Sequence, residues 1–285
     1  MSQLDRRDLL LSLINTQGLG LEIGPGFNPL VPKAQGYRVE TLDHATREDL
    51  VAKYANALGV DVSRIEVVDH VSTGASVFDA VGKTAHFDYI VASHVIEHTT
   101  DMLGFLKDCQ RLLKPEGVLA LAVPDKRYSF DVLRPLSSTG DVLQAHLERR
   151  TRHPAGRIFD EVAYNVLRGG ALAWDAANQK PLAFFRPLSD AAAVFEDAQT
   201  SAHFHDIHAW QFTPSSFRLI VGDLHAMGQL GLRELAFHGD RGGEFITSMA
   251  LHGGGPGVSR IKLAQQAVDD LKAVHTGPRD DNMLY

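Results

Sequence analysis

Short apolar runs alternate with amphipathic, helix-like segments between about residue 18 and residue 127. Five of these runs predict strands: GLGLEIG, YRVETLDH, RIEVVDHV, FDYIVASHVIEH and GVLALAVPDKR. Nearly continuous apolar runs such as VLALAV are typical of parallel strands that helices cover on both faces. The alternation therefore predicts an α/β fold with a doubly wound, mostly parallel sheet.

The alternation stops at residues 128–213, for which we predict a helical insertion over the sheet, without a clear strand. Thr213 and Pro214 then have the residue types of a helix N-cap and first turn. Two later runs, LRELAFHGD and EFITSMALH, are joined by RGG, which predicts an antiparallel hairpin and a seven-stranded sheet. We expect four parts: an N-terminal helix (1–17), the core (18–127 and 214–251), the insertion, and a C-terminal helix and tail (252–285).

The composition argues against several classes of protein. The chain has 285 residues and a formal net charge of −7 without a long run of one sign, which disfavours nucleic-acid binding. Its one cysteine, Cys109, excludes an internal disulfide, and its place on an apolar helix face predicts a buried thiol. The N-terminal residues lack a signal-peptide pattern, and no run approaches the about 20 apolar residues of a membrane span. We expect a cytoplasmic protein, without membrane partners, that could form a homo-oligomer.

Glycines and polar residues collect at the carboxyl ends of the predicted strands, where doubly wound sheets bind ligands. The first strand ends in a turn that contains Glu22, Gly24, Pro25 and Gly26. Glycine allows the backbone to approach a ligand closely, so this turn is the first candidate for a binding site.

Two acidic residues extend this candidate site towards an adenosine group. Asp43 ends the second strand 19 residues after Gly24, the spacing at which a carboxylate accepts hydrogen bonds from ribose hydroxyls. Asp69 ends the third predicted strand and has the acceptor oxygens for the exocyclic amine of adenine. Gly26 is followed by Phe27, Asn28, Pro29 and Leu30, so the third glycine of a dinucleotide-binding turn is missing, which disfavours a nicotinamide dinucleotide.

Several motifs carry a resemblance to a known family. LEIGPGFNPL, LDH, FDYIVASHVIEH, RLLKPEGVLALAVPD and the closing hairpin together resemble class I S-adenosylmethionine-dependent methyltransferases, which have a Rossmann-like fold. More narrowly, ASHVIEH, PDKRYSFD and DIHAWQFTPSSF resemble the methyltransferase-domain proteins of bacterial polysaccharide and glycan clusters. The resemblance implies S-adenosylmethionine as cofactor and S-adenosylhomocysteine as product.

The resemblance also implies which residues contact the cofactor. The turn residues lie at its methionine portion, Asp43 at the ribose and Asp69 at the adenine amine, while Ser93 and His94 line the sulfonium side. The complete set of predicted cofactor residues is Glu22, Gly24, Pro25, Gly26, Asp43, His44, Asp69, Ser93 and His94.

Histidine titrates near neutral pH and is suited to remove a hydroxyl proton as a methyl group arrives. We predict His208 as this base, with Asp206 or Asp125 assisting it. A satisfied structural histidine is the alternative at that position. The predicted substrate-binding residues are His98, Arg127 and Arg134, and the alternative for the two arginines is a salt-bridged rim.

The histidines of AHFHDIHAW raise the question of a metal site. Residue alternation would put His203 and His205 on one face and His208 on the other, and no HExxH-like helical pair is present. We therefore predict no metal.

The function predicted from the sequence is methyl transfer from S-adenosylmethionine to a small molecule, by O-methylation of a sugar or related hydroxyl compound. The alternatives are a non-catalytic S-adenosylmethionine- or adenosine-binding module and an NAD(P)-dependent oxidoreductase.

Overall fold

The structure of the chain is a computed structural model that describes residues 5–72, 74, 76–239 and 242–272. Strands of the main sheet are β1 (Gly20–Ile23), β2 (Val39–Asp43), β3 (His70–Val71), β4 (Phe87–Ser93), β5 (Leu113–Pro124), β8 (Arg233–His238) and β9 (Glu244–Ala250). A separate two-stranded sheet consists of β6 (Val166–Arg168) and β7 (Leu182–Phe184).

The main sheet has the strand order β3-β2-β1-β4-β5-β9-β8. The five strands from β1 to β5 pair in parallel, and β9 is antiparallel to both β5 and β8. The predicted seven-stranded, mostly parallel sheet with a C-terminal hairpin is therefore confirmed. The carboxyl ends of β1, β2, β4 and β5 lie along one edge, which brings the predicted site residues of the first half together.

Helices flank the sheet and form much of the insertion. They are α1 (Arg6–Leu11), α2 (Arg47–Tyr54), α3 (Val77–Val81), α4 (Met102–Leu112), α5 (Thr139–Leu147), α6 (Ala155–Tyr164), α7 (Leu188–Thr200), α8 (Pro214–Ala226) and α9 (Arg260–Lys272). Local sequence explains the helix starts, because the side chains of Asp5, Thr46 and Thr213 accept hydrogen bonds from backbone N–H groups in the first turns of α1, α2 and α8. The predicted helix start at Thr213 and Pro214 is confirmed.

Apolar side chains cover both faces of the sheet. Along β4, Ile90 packs in the cluster that includes α4 and α8, while Tyr89 and Val91 pack against α1 on the opposite face. This double burial explains why the strand sequences read as nearly continuous apolar runs. Cys109 is fully buried in the larger cluster, as predicted, and burial raises the pKa of its thiol.

The third strand differs from its prediction. Among the residues that the structure describes here, the strand that pairs with β2 consists of His70 and Val71, while Val62–Arg64 before it forms a 3-10 turn. Asp69 therefore precedes β3 instead of ending it, and the prediction that it stands at the carboxyl edge of the sheet is wrong. The physical reason is that the alternating polar positions of RIEVVDHV do not supply two apolar faces.

The insertion also differs from its prediction, because β6 and β7 form an antiparallel pair within it. The helix α6 ends at Tyr164, and β6 begins two residues later at Val166. The predicted C-terminal tail, residues 278–285, lies outside the described residues. Among the helices that the structure describes, none is long and apolar enough to cross a membrane.

Candidate functional site

The turn after β1 has the backbone shape that its glycines allow. Gly24 and Gly26 have φ angles of 67° and 49°, a region that favours glycine. A Cβ atom at Gly24 would lie 2.8 Å from Cγ2 of Val95, whereas one at Gly26 would meet no described atom within 4 Å. Pro25 lies between them, and its carbonyl accepts a hydrogen bond from Asn28. The turn is thus packed against the segment after β4 at Gly24 and leaves room for a ligand at Gly26.

Glu22 supports this turn through the backbone that follows it. Its buried carboxylate accepts hydrogen bonds from the N–H groups of Leu30 and Val31 at 2.7 and 3.2 Å. Burial raises the pKa of Glu22 to about 7, although these hydrogen bonds act in the opposite direction. Protein groups thus engage both oxygens, so Glu22 supports the glycine turn, and the direct cofactor contact predicted for it stays a prediction.

Asp43 connects the carboxyl end of β2 to the glycine turn. Its Oδ2 atom accepts a hydrogen bond from the N–H of Gly26 at 3.0 Å, and its Oδ1 atom accepts from the backbone and Nδ1 of His44. Burial opposes ionisation, but the hydrogen bonds from His44 and Gly26 outweigh it and hold the pKa of Asp43 below its usual value. Asp43 is therefore an ionised acceptor, which is the chemical form that a ribose diol requires.

Asp69 has different surroundings. Its Oδ2 atom accepts hydrogen bonds from the backbone N–H of Thr41 at 2.7 Å and from Nζ of Lys33 at 2.5 Å. These contacts all fall on Oδ2, beside Thr41 in the middle of β2 and two residues before Asp43. The contacts around Asp69 thus weigh against the predicted adenine role, which no contact supports within the described part of the chain.

The segment after β4 is tied to α1 and β9. The hydroxyl of Ser93 accepts a hydrogen bond from Nη2 of Arg6 at 2.5 Å, and Nε of Arg6 donates to Glu244 at 2.5 Å. The same glutamate lies 2.9 Å from Nε2 of His94. His94 has a φ of 54°, unusual for a residue other than glycine and characteristic of constrained functional segments. Sequence reasoning missed Arg6 and Glu244, because their partners lie far along the chain.

Glu97 and His98 follow in a 3-10 turn and meet the insertion. The backbone carbonyl of Glu97 accepts hydrogen bonds from Ala209 at 2.7 Å and Trp210 at 3.2 Å. Its side chain is fully buried, and neither carboxylate oxygen has a hydrogen-bond partner among the described residues. The insertion segment that contains His208 is therefore held directly against the carboxyl end of β4.

His208 pairs with an aspartate that sequence reasoning did not identify. Nδ1 of His208 lies 2.6 Å from Oδ2 of the buried Asp131. Burial opposes protonation, but Asp131 and the nearby Glu97 and Glu161 outweigh it and raise the pKa of His208 to about 9. The surroundings of this imidazole thus favour a positive charge.

The two aspartates predicted to assist His208 have other partners. Asp206 accepts a hydrogen bond from Nδ1 of His98 at 2.8 Å, and this bond lowers the pKa of Asp206. Asp125 is buried and forms an ion pair with Arg127 at 2.5 Å, two residues further along the chain. The predicted pairing is therefore corrected: Asp131 orients His208, Asp206 orients His98, and Asp125 and Arg127 satisfy each other.

Arg134 is not at the rim of the site. Its side chain is 1% exposed and donates from Nη1 to Asp131, Glu161 and the carbonyl of His208 at 2.7, 3.0 and 2.7 Å. Arg134 therefore supports the His208 segment from within the protein, which corrects its predicted role as a substrate-binding group.

A set of potential metal ligands forms at the same place. One carboxylate oxygen of Glu97 and one ring nitrogen each of His98 and His208 lie within 4.8 Å of one another. The rings of His98 and His208 pack edge to face with their centroids 4.7 Å apart. His208 belongs to this set, whereas His203 packs against His205, which pairs with Asp197. The reasoning behind the prediction of no metal is thereby corrected, because it compared His208 with His203 and His205 and left out His98.

A profile described as a methyltransferase domain matches residues 4–179, which is more than half of the chain. The chain belongs to this methyltransferase family. The family and the fold identify a class I S-adenosylmethionine-dependent methyltransferase. The comparisons do not extend to glycan clusters, so that narrower resemblance stays a prediction.

Curated relatives match the methyltransferase over limited stretches. The ubiquinone biosynthesis O-methyltransferase of Parvibaculum lavamentivorans is 42% identical over 55 residues, which is 19% of this chain and 21% of the relative. The protein of the same name from Methylocella silvestris is 32% identical over 103 residues, 34% of this chain and 37% of the relative. The matched stretches thus cover well under two thirds of either relative.

A solved structure of an S-adenosylmethionine-dependent methyltransferase from Aquifex aeolicus is similar at a TM-score of 0.40 and 12% identity, covering 86% of this chain and 89% of that chain.

S-adenosylmethionine is the cofactor of this methyltransferase family, and when bound it supplies a methyl group on a positively charged sulfur atom. The residues present fit it: the open backbone at Gly26 and the ionised Asp43 suit its amino-acid and ribose portions.

Proposed function

We propose that this methyltransferase transfers the methyl group to a hydroxyl oxygen of a small molecule, and that a sugar or related hydroxyl compound is the acceptor. The observation that carries the proposal is the contact between the His208 segment and the residues that follow β4. Ser93 and His94, which are predicted to line the sulfonium side, belong to the same strand end. A group that handles a proton therefore lies next to the predicted position of the methyl group.

Proton removal is the chemical task that distinguishes a hydroxyl acceptor. A neutral hydroxyl is a weak nucleophile, and its proton must leave as oxygen bonds to the methyl carbon and the carbon–sulfur bond breaks. In the proposal the neutral imidazole of His208, which a pKa of about 9 makes the minor form near pH 7, receives the proton on Nε2, while Asp131 holds Nδ1 and stabilises the imidazolium that forms. S-adenosylhomocysteine is the second product, and the released electron pair stays on its sulfur.

Two further observations support a small hydroxyl acceptor. The curated relatives that match in part are named O-methyltransferases, and O-methylation requires a hydroxyl or a related oxygen. The chain carries 28 Lys and Arg against 35 Asp and Glu, which is unfavourable for a polyanionic polymer. The glycan-cluster resemblance of ASHVIEH and DIHAWQFTPSSF is the reason for placing sugars first among the hydroxyl compounds.

The test is an acceptor screen that measures S-adenosylhomocysteine formation with sugars, nucleotide sugars and phenols, followed by identification of the methylated atom. We expect turnover with a hydroxyl compound and its loss in His208→Ala, whereas His203→Ala, on the surface, serves as the matched control. Methylation of nitrogen or carbon would contradict the proposal. Binding of S-adenosylhomocysteine without transfer to any acceptor would favour the non-catalytic module.

A further inference from the structure

We propose that Glu97, His98 and His208 form a binding site for one divalent transition-metal ion. The first reason is the state of Glu97. This carboxylate is 0% exposed, and neither of its oxygens has a hydrogen-bond partner in the part of the chain that the structure describes. A buried carboxylate without partners is strongly destabilising, and a coordinated cation would compensate both its charge and its acceptor oxygens.

The second reason is the distance between the potential ligand atoms. Ligands about 2.1 Å from an ion are about 3.0–3.4 Å apart at octahedral or tetrahedral angles. Nε2 of His98 lies 3.9 Å from Oε1 of Glu97, and the three ligand atoms lie within 4.8 Å of one another. Side-chain adjustments of under about an ångström for each ligand would therefore complete the coordination.

The third reason is the way in which both imidazoles are held. Asp206 bonds Nδ1 of His98 at 2.8 Å, and Asp131 bonds Nδ1 of His208 at 2.6 Å. Each bond fixes the ring and leaves Nε2 as the nitrogen available to a metal. Histidine ligands characteristically give their second nitrogen to a carboxylate in this way. Because these aspartates come from different segments, the arrangement is independent of the unpartnered state of Glu97.

The charge around the site supports the same conclusion. Glu97, Asp131, Asp206 and Glu161 surround the two imidazoles, while Arg134 is the buried cation beside Asp131 and Glu161. His94 adds a third imidazole, with Nδ1 3.6 Å from Oε1 of Glu97. The carboxylates around His208 create a field that attracts a cation.

The ligand set indicates the class of metal. Two imidazoles and one carboxylate suit Fe²⁺, Mn²⁺, Co²⁺ or Zn²⁺, whereas Mg²⁺ and Ca²⁺ prefer oxygen ligands. Three protein ligands leave coordination positions open for the substrate or water. The site therefore suits an acceptor whose hydroxyl oxygen, or pair of neighbouring hydroxyl oxygens, can bind the ion.

The use of the ion in catalysis rests on the proposed function and refines it. With an ion bound, Nε2 of His208 would be a ligand and would no longer be the base; the ion would instead lower the pKa of the acceptor hydroxyl, whose proton would leave to water. The oxygen then forms the bond to the methyl carbon as described above. Binding of the ion itself does not depend on the identity of the acceptor.

The test is Co²⁺ binding to the full chain after chelator treatment, by calorimetry and by the visible absorption of bound Co²⁺. We expect one ion per chain in the wild type, at least tenfold weaker binding in Glu97→Gln and His98→Ala, and unchanged binding in the surface control His203→Ala. Circular dichroism shows whether each variant is folded. If Glu97→Gln or His98→Ala fails to fold, the remaining folded variant tests the proposal. Absent binding, or equal binding in wild type and in both folded variants, would overturn the proposal.

Activity measurements separate this inference from the proposed function. Turnover that a chelator abolishes and Mn²⁺ or Co²⁺ restores would support both. Site-specific Co²⁺ binding without methylation of any hydroxyl compound would sustain the metal site and contradict the proposed function. Methylation of a hydroxyl that persists in chelator, in a protein that binds no Co²⁺, would sustain the proposed function and overturn the metal site.

Discussion

Nδ1 of His208 lies 2.6 Å from Oδ2 of Asp131, and the aspartate side chain is 3% exposed. This pair joins the two ends of the insertion, since Asp131 precedes α5 and His208 precedes α8. It gives the imidazole a defined orientation at the edge of the sheet, where the methyl acceptor is expected. We therefore expect Asp131 to affect catalysis by the methyltransferase more than Asp206 or Asp125 does.

Substitution Asp131→Asn should lower kcat about 10- to 100-fold, because the amide holds the imidazole less strongly and no longer supplies a negative charge. The affinity for S-adenosylhomocysteine should stay within about twofold, since Asp131 contacts the His208 segment and not the glycine turn. Steady-state kinetics and calorimetry check the two quantities. Asp131→Glu should recover part of kcat, and an equal loss in both variants would indicate a role in folding alone.

Asp206→Asn offers a direct comparison with Asp131→Asn. Asp206 is mostly exposed and bonds His98, so we expect its loss to reduce kcat less than the loss of Asp131 does. The two variants should be assayed side by side at saturating acceptor. A larger effect at Asp206 would restore the original pairing, in which Asp206 assists the catalytic base.

Asp43→Ala should weaken the binding of S-adenosylhomocysteine at least tenfold. One hydrogen bond to a charged group contributes about 1.5–3 kcal/mol, and a ribose diol offers two donors. Asp69→Asn is the matched control, because the Asp69 carboxylate is engaged by Lys33 and Thr41. Calorimetry should find its affinity unchanged within about twofold, whereas a tenfold loss would support the adenine role.

Glu22 should make the stability of the protein depend on pH. The unfolded chain loses this proton near the ordinary pKa of 4.5, while the folded protein keeps it up to about 7. The folded state thus binds more protons between these values, and the free energy of unfolding should fall as pH rises through them. The loss should be on the order of 3 kcal/mol. Urea unfolding of wild type and Glu22→Gln measures the difference, and parallel pH profiles would contradict it.

Cys109 should not react with a thiol reagent in the native protein. Its side chain is fully buried, and burial raises the pKa of its thiol, so both access and the thiolate fraction are low. Absorbance assays with Ellman's reagent should detect about one thiol in urea and nearly none without denaturant. Rapid labelling of the folded chain would show that α4 is less tightly packed than described.

The sequence predicted those parts of the fold that depend on local patterns. The apolar runs of β4 and β5, the glycine turn and the helix start at Thr213 all follow from rules of burial, backbone freedom and capping. The proximity of Asp43 and Gly26 could also be predicted, because Asp43 ends β2 and Gly26 lies in the turn that follows the neighbouring β1.

The residues that form the candidate site were harder to predict from the sequence. Asp131 and His208 come together because the insertion folds back onto β4, and no periodicity encodes that contact. Asp125 seemed suited to catalysis by its place after β5, yet Arg127 is close enough to neutralise it. Glu97 carries a signal in the sequence: it directly follows the apolar residues Val95 and Ile96, and a charged side chain that is buried with them requires a partner.

The docking of the insertion onto Glu97 uses main-chain atoms, because a carbonyl oxygen accepts from two backbone N–H groups. Side-chain substitutions in residues 128–213 leave these atoms in place, provided that they spare Asp131, Arg134 and Glu161, which hold the His208 segment. Evolution or protein engineering can therefore change the walls around an acceptor while the position of His208 relative to β4 is preserved. The insertion is thus the natural place to alter the choice of acceptor without rebuilding the site of transfer.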